Sequence, residues 1–161
     1  MSKVLRICSA ATVAVIACTL SAASAQQPAP THIIVPADKI AWGLAPPSVP
    51  AGARAAILYG DPARDGLFAM RLKAPKDYII PPHTHPAPEI VTVMSGVVRL
   101  GLGTKVNAAG ARPLGPGSFY STEPGTAHFI IVDKDAVVQV NSRGPWGIHY
   151  LNPADDPRSR K

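Results

Sequence analysis

Three of the five histidines stand where they can act together. His83-Thr84-His85 is followed by Glu89. In an extended chain, residues two apart project to the same face, so both imidazoles point one way. Glu89 shares that parity, although Pro86 and Pro88 intervene. Two imidazoles and a carboxylate on one face suit a first-row divalent metal. A fourth ligand must come from elsewhere in the chain. His128 is the candidate, because it opens an apolar segment directly after Pro124-Gly125 and could pair beside the first strand. An HxH pair alone is a weak sign, and the bland alternative is a structural His/Glu cluster. The set gains force from its turns: three residues to Glu89, six more to Gly96, then a Gly-rich return to His128. His32 and His149 read as surface or hydrogen-bonded side chains. No residue stands out as a general base; Tyr120 and Glu123 are the nearest.

These residues need rigid elements to hold them. All 18 prolines and 13 glycines lie after residue 25, a density that few helices survive. Short apolar segments between turns remain, as in a sandwich or barrel of strands. They are Ala55–Tyr59, Leu67–Lys73, Glu89–Ser95, Val97–Leu102, Ser118–Ser121, His128–Val132, Ala136–Asn141 and Gly147–Leu151. A helical turn fits around Pro36–Trp42. Asp65-Gly66 turns into a strand with Phe68, Met70 and Leu72 on one face and Arg71 and Lys73 on the other. Val98, Leu100 and Leu102 should likewise face inward and Arg99 outward. Inward apolar faces of this kind make the core of a single all-β domain, a jelly roll or small barrel.

The first 25 residues read differently. Lys3 and Arg6 precede an uncharged apolar run, Ile7 to Leu20, and Ala23-Ser24-Ala25 is a small-x-small cleavage site. This is the layout of a signal peptide cleaved after Ala25, which places the mature protein in the periplasm or outside the cell. The run is too short for a permanent membrane span. A lipoprotein anchored at Cys18, after Val15-Ile16-Ala17, is the alternative. The domain organisation is then 1–25 signal peptide, 26–50 leader and connector, 51–152 β-barrel and 153–161 tail. Within the connector, Ala45 to Pro50 should run extended. Cys8 and Cys18 leave with the signal, which excludes cysteine catalysis and disulfides from the mature chain. Loss of Lys3 and Arg6 lowers the formal charge from +6 to +4, and Arg158, Arg160 and Lys161 crowd the terminus. No basic stripe remains for nucleic acid.

The spacing His83-x-His85-x3-Glu89-x6-Gly96 resembles the second half of the first cupin motif, and Gly117-x5-Glu123-x-Gly125-x2-His128 resembles most of the second. The resemblance spans about Asp77 to Val132. It implies a cupin-type jelly-roll β-barrel with one divalent metal ion held by His83, His85, Glu89 and His128. There are departures. Asp77 stands where a Gly is usual, Glu123 where a Pro is usual, and Val132 where an Asn is usual. The segment from Gly144 to Arg158 is similar to the tail of small single-domain cupins akin to the cupin part of ChrR-type anti-sigma factors.

Four ligands on a six-coordinate metal leave two open positions, a catalytic possibility. Iron, manganese, zinc, copper or nickel would each fit the donor set, and loading outside the cytoplasm favours copper and zinc. The resemblance implies an unidentified small-molecule partner, acted on by a dioxygenase, isomerase or lyase. The competing reading is a non-catalytic metal-dependent binding or sensor module. A third is a structural domain whose metal only pins strands together. Two copies pairing into a homodimer is compatible with the family. Phe68, Met70, Val91, Val93, Tyr120 and Trp146 are pocket or core candidates. Gln139 and Asn141 become informative if their face looks into the barrel. A wide polar cavity would favour the enzyme, and one filled by Phe68, Met70 and Trp146 the binding or structural role.

Overall fold

A computed structural model describes residues 32–159, so the expected signal peptide, its expected cleavage after Ala25 and Cys18 lie outside the described residues. A short 3-10 turn, Ala37–Lys39, falls within the expected Pro36–Trp42 stretch. The strands are β1 (Gly43–Leu44), β2 (Arg54–Tyr59), β3 (Gly66–Ala74), β4 (Ile79–Thr84), β5 (Glu89–Leu102), β6 (Arg112–Leu114), β7 (Phe119–Thr122), β8 (His128–Gly144) and β9 (His149–Tyr150). All pairings are antiparallel.

Two long strands organise the fold. On one side β8 pairs along most of its length with β5, from Leu102↔His128 to Ile90↔Asn141. On its other side the first part of β8 meets β4 and the second part meets β3. The outer edge of β5 is shared in the same way, between β7 and β6. The two strands therefore belong to both layers of a curled sheet, and their bends close it around the core. The bend has a local cause. Gly96 adopts φ +77°, and a Cβ there would lie 2.1 Å from the Asp135 carbonyl oxygen. The register slips at this level, between Ser95 and Val98. A glycine in the left-handed region is the expected device for such a bulge. The sequence had suggested four segments here; the chain runs through Gly96, and through Asp133 to Asp135, as two continuous strands.

Phe68, Met70 and Leu72 do share the buried face of β3. With Ala55, Val91 and Val140 they form one apolar cluster. Val93, Val98, Ile130, Val132 and Ile148 anchor the other. A fully buried side chain of this kind contributes about 1.5–3 kcal/mol. Leu102 departs from expectation: it ends β5 and is exposed, while the buried position at this end is Gly101, which lies under the Phe129 ring. The 45–50 segment is not extended. Val49 N donates to Pro46 O at 2.8 Å, and Ser48 and Val49 are buried. The hydroxyls of Tyr78 and Tyr150 donate to the carbonyls of Pro50 and Ser48 and hold this turn against the barrel.

Candidate metal centre

β4 lies outside the apolar segments expected from the sequence, and it contains Pro81 and Pro82. They occupy the irregular stretch between Ile80↔Ile130 and His83↔His128, where no ladder partner is lost. The strand therefore survives, and it sets His83 directly opposite His128. Gly125 N donates to the His85 carbonyl at 3.0 Å, tying the turn before His128 to the first motif. Glu89 opens β5 opposite Thr122 of β7.

The three imidazoles cluster. One nitrogen from each of His83, His85 and His128 lies within 4.8 Å of the others, and all three rings are buried. Each Nδ1 faces a backbone carbonyl: His83 that of Pro81 at 2.7 Å, His85 that of Gly147 at 2.8 Å, and His128 that of Thr126 at 3.0 Å. A carbonyl can only accept, so each Nδ1 carries the proton and each Nε2 presents a lone pair. His85 Nε2 lies 3.4 Å from Glu89 Oε1, and His128 Nε2 lies 3.7 Å from Glu89 Oε2. Neither nitrogen has a hydrogen-bond partner, although both are buried. Protonation does not relieve the arrangement. Burial, then the neighbouring His128 and His85, push the His83 pKa down to about 2. Burial lowers that of His85 despite the pull of Glu89. Lone pairs converging on a buried carboxylate form a donor set that fits a divalent cation.

Trp146 lies almost parallel to the His85 ring, with centroids 5.3 Å apart and an 18° interplanar angle. Phe68 packs edge-on against Trp146 at 6.2 Å. A cavity of about 50 Å³ reaches His83, His85 and Glu89, and its walls include Leu72, Val98, Ile130, Val132, Val138 and Ile148. That volume holds about three or four waters. It is neither wide and polar nor filled by Phe68 and Met70, which pack in the core behind its wall. Val91 and Val93 are likewise core, whereas Tyr120 and Trp146 line the cavity. Burial, and then the charge of Glu89, hold the Tyr120 pKa well above the ordinary phenol value. Glu123 is exposed and away from the cavity. Gln139 accepts from Arg71 Nε at 3.2 Å on the outer face of β3 and β8, so it and Asn141 look away from the barrel interior. His149 and His32 are exposed. The Gly147 carbonyl and the stacking of Trp146 were not foreseen. A backbone group 62 residues from its partner leaves no mark in residue types.

Residues 71–141 match the family model of the cupin domain. The chain carries a cupin domain, built as a curled β-sheet around a histidine triad able to bind a metal. Over 92 residues it is 35% identical to germin-like protein subfamily 3 member 1 of Arabidopsis thaliana, covering 54% of this chain and 44% of that protein. The chain thus spans less than half the length of that curated relative. Its fold is similar to the polyketide cyclase RemF of Streptomyces resistomycificus, with a TM-score of 0.62 and 17% identity over 77% of this chain and 88% of the other. It is also similar to a chain in the complex of SigE with the anti-sigma ChrR from Rhodobacter sphaeroides, with a TM-score of 0.50 and 19% identity over 66% and 51%.

Proposed function

We propose that this is an exported mononuclear metal-binding cupin whose centre is formed by His83, His85, His128 and Glu89. It takes one small molecule with an oxygen-donor head and a short apolar body. The observation that carries the reading is the pair of buried, unpartnered Nε2 atoms of His85 and His128 facing Glu89. A divalent metal held by these residues would supply Lewis-acid or redox chemistry to an oxygen donor. The chain's own residues do the rest. The three backbone carbonyls fix the imidazole tautomers. Trp146 covers His85, and the aliphatic wall gives the cavity beside the site a mostly apolar lining. Tyr120 keeps its proton and offers a donor hydroxyl beside Glu89.

A non-catalytic binding or sensor role is the second reading. It is favoured by the narrow, mostly aliphatic cavity, which among the described residues is lined by no Lys, Arg or Asp. Elemental analysis of protein matured in its own cell envelope identifies the metal. A screen of small carboxylates and enols with the metal-loaded protein then separates the readings: turnover supports the enzyme, and saturable binding without turnover supports the sensor. Metal-free protein that takes up no divalent ion overturns both.

A further inference from the structure

Two of the three imidazole locks are local and one is not. His83 and His128 each bond a carbonyl two residues away, whereas His85 bonds Gly147, 62 residues away. The Gly147 carbonyl belongs to a strap that also supplies the Trp146 ring over His85 and the buried Ile148 in the cavity wall. The strap is fixed at one end by Trp146 N, which donates to Pro62 O at 2.7 Å. At the other end Leu151 N donates to Pro82 O at 3.0 Å. Between them sits Gly147, with no atom within 4 Å of where a Cβ would be. Glycine has no Cβ to restrict its dihedrals, so the Gly147 carbonyl takes its direction from the contacts on either side. The carbonyl of Ile148, one residue on, is held by Arg158 Nη2 at 3.0 Å. Arg158 is itself clamped by both oxygens of Asp156, at 2.8 Å through Nε and 2.7 Å through Nη2. A bidentate fork of this kind fixes direction as well as distance.

Building on the metal-binding reading, we infer that Arg158 is a positioning residue for the metal centre: the terminal turn after β9 holds the strap that sets His85. The C-terminal segment is then part of the site rather than a surface tail. Loss of the clamp frees the Gly147 carbonyl to turn away, and His85 alone loses the acceptor that keeps its proton on Nδ1.

The test compares the full-length protein with Arg158→Ala and Asp156→Asn. Nitrogen-15 spectra of the metal-free protein report the tautomer of each histidine. The expected result is a mixed tautomer at His85 with His83 and His128 unchanged. Chelator competition with zinc should show about tenfold weaker binding. A folded Arg158→Ala protein with an unaltered His85 spectrum overturns the inference, and so does an equal change at all three rings, which would mean general loosening. Should Arg158→Ala fail to fold, Asp156→Asn carries the same comparison, because it unclamps the fork and keeps the guanidinium. If the parent protein binds no zinc, the metal-binding reading falls while the tautomer measurement still decides the role of Arg158.

Discussion

His85 Nε2 and Glu89 Oε1 face each other at 3.4 Å as two buried acceptors, because the only imidazole proton is committed to the Gly147 carbonyl. A cation between them removes the conflict. Replacing one donor should therefore remove the metal. His83→Ala or His128→Ala should each reduce stoichiometric metal in the purified protein to background, read by elemental analysis. Unchanged metal in both variants would refute the ligand set.

Metal-free protein should lose stability on acidification. His83 and His85 have lowered pKa values in the folded state, so below about pH 6.5 the unfolded chain binds protons that the folded chain refuses. Stability then falls as the pH drops, by up to about 1.4 kcal/mol per pH unit for each such group. Thermal unfolding of the metal-free protein between pH 7 and pH 5 checks this; a flat profile contradicts the lowered values.

Asp77 stands where the first motif usually has Gly, and it adopts φ +64°, the left-handed region. Its backbone N donates to Val132 O at 2.8 Å, which holds the conformation. Asp77→Gly should relieve the strain and stabilise by about 1 kcal/mol, seen as a higher Tm. A lower Tm would show that the Asp side chain earns its place.

Gly96→Ala should do the reverse. The added Cβ meets the Asp135 carbonyl at a position where the backbone is also left-handed. A loss of about 3 kcal/mol or more is expected in denaturant unfolding, because β5 and β8 must move apart. A loss under 1 kcal/mol would mean that the bulge relaxes easily.

Export is checked directly. Mature protein recovered from the cell envelope should begin at Gln26 by mass spectrometry. Retained Met1 or a lipidated Cys18 would overturn the assignment of a soluble exported form.

The histidine cluster was legible in the sequence because histidines are rare in this chain and His83 and His85 stand two apart, on one face of an extended chain. His128 joins them as expected, with Glu89 beside two of the three rings. The strands around them were less legible for a physical reason. Pro81 and Pro82 sit inside β4, a strand missing from the expected apolar segments; it forms because a proline at a register slip removes no ladder bond. Gly96 read as a turn, yet it is the bulge that lets β5 continue. The polar run Asp133-Lys134-Asp135 falls between two expected segments, yet Asp133 pairs with Arg99 at 2.6 Å and Asp135 accepts from Lys76 N at 2.8 Å along an unbroken strand. The Gly147 carbonyl could not be read at all, since every residue carries one.

β8 begins with His128 and ends at Gly144, just before the strap over His85, and in between it borders β3, β4 and β5. An interior strand with so many neighbours is the last to fray. Its amides should exchange with solvent only when the whole barrel opens. Heat or urea should then melt the sheet and part the three imidazoles in one cooperative event, leaving no partly folded species.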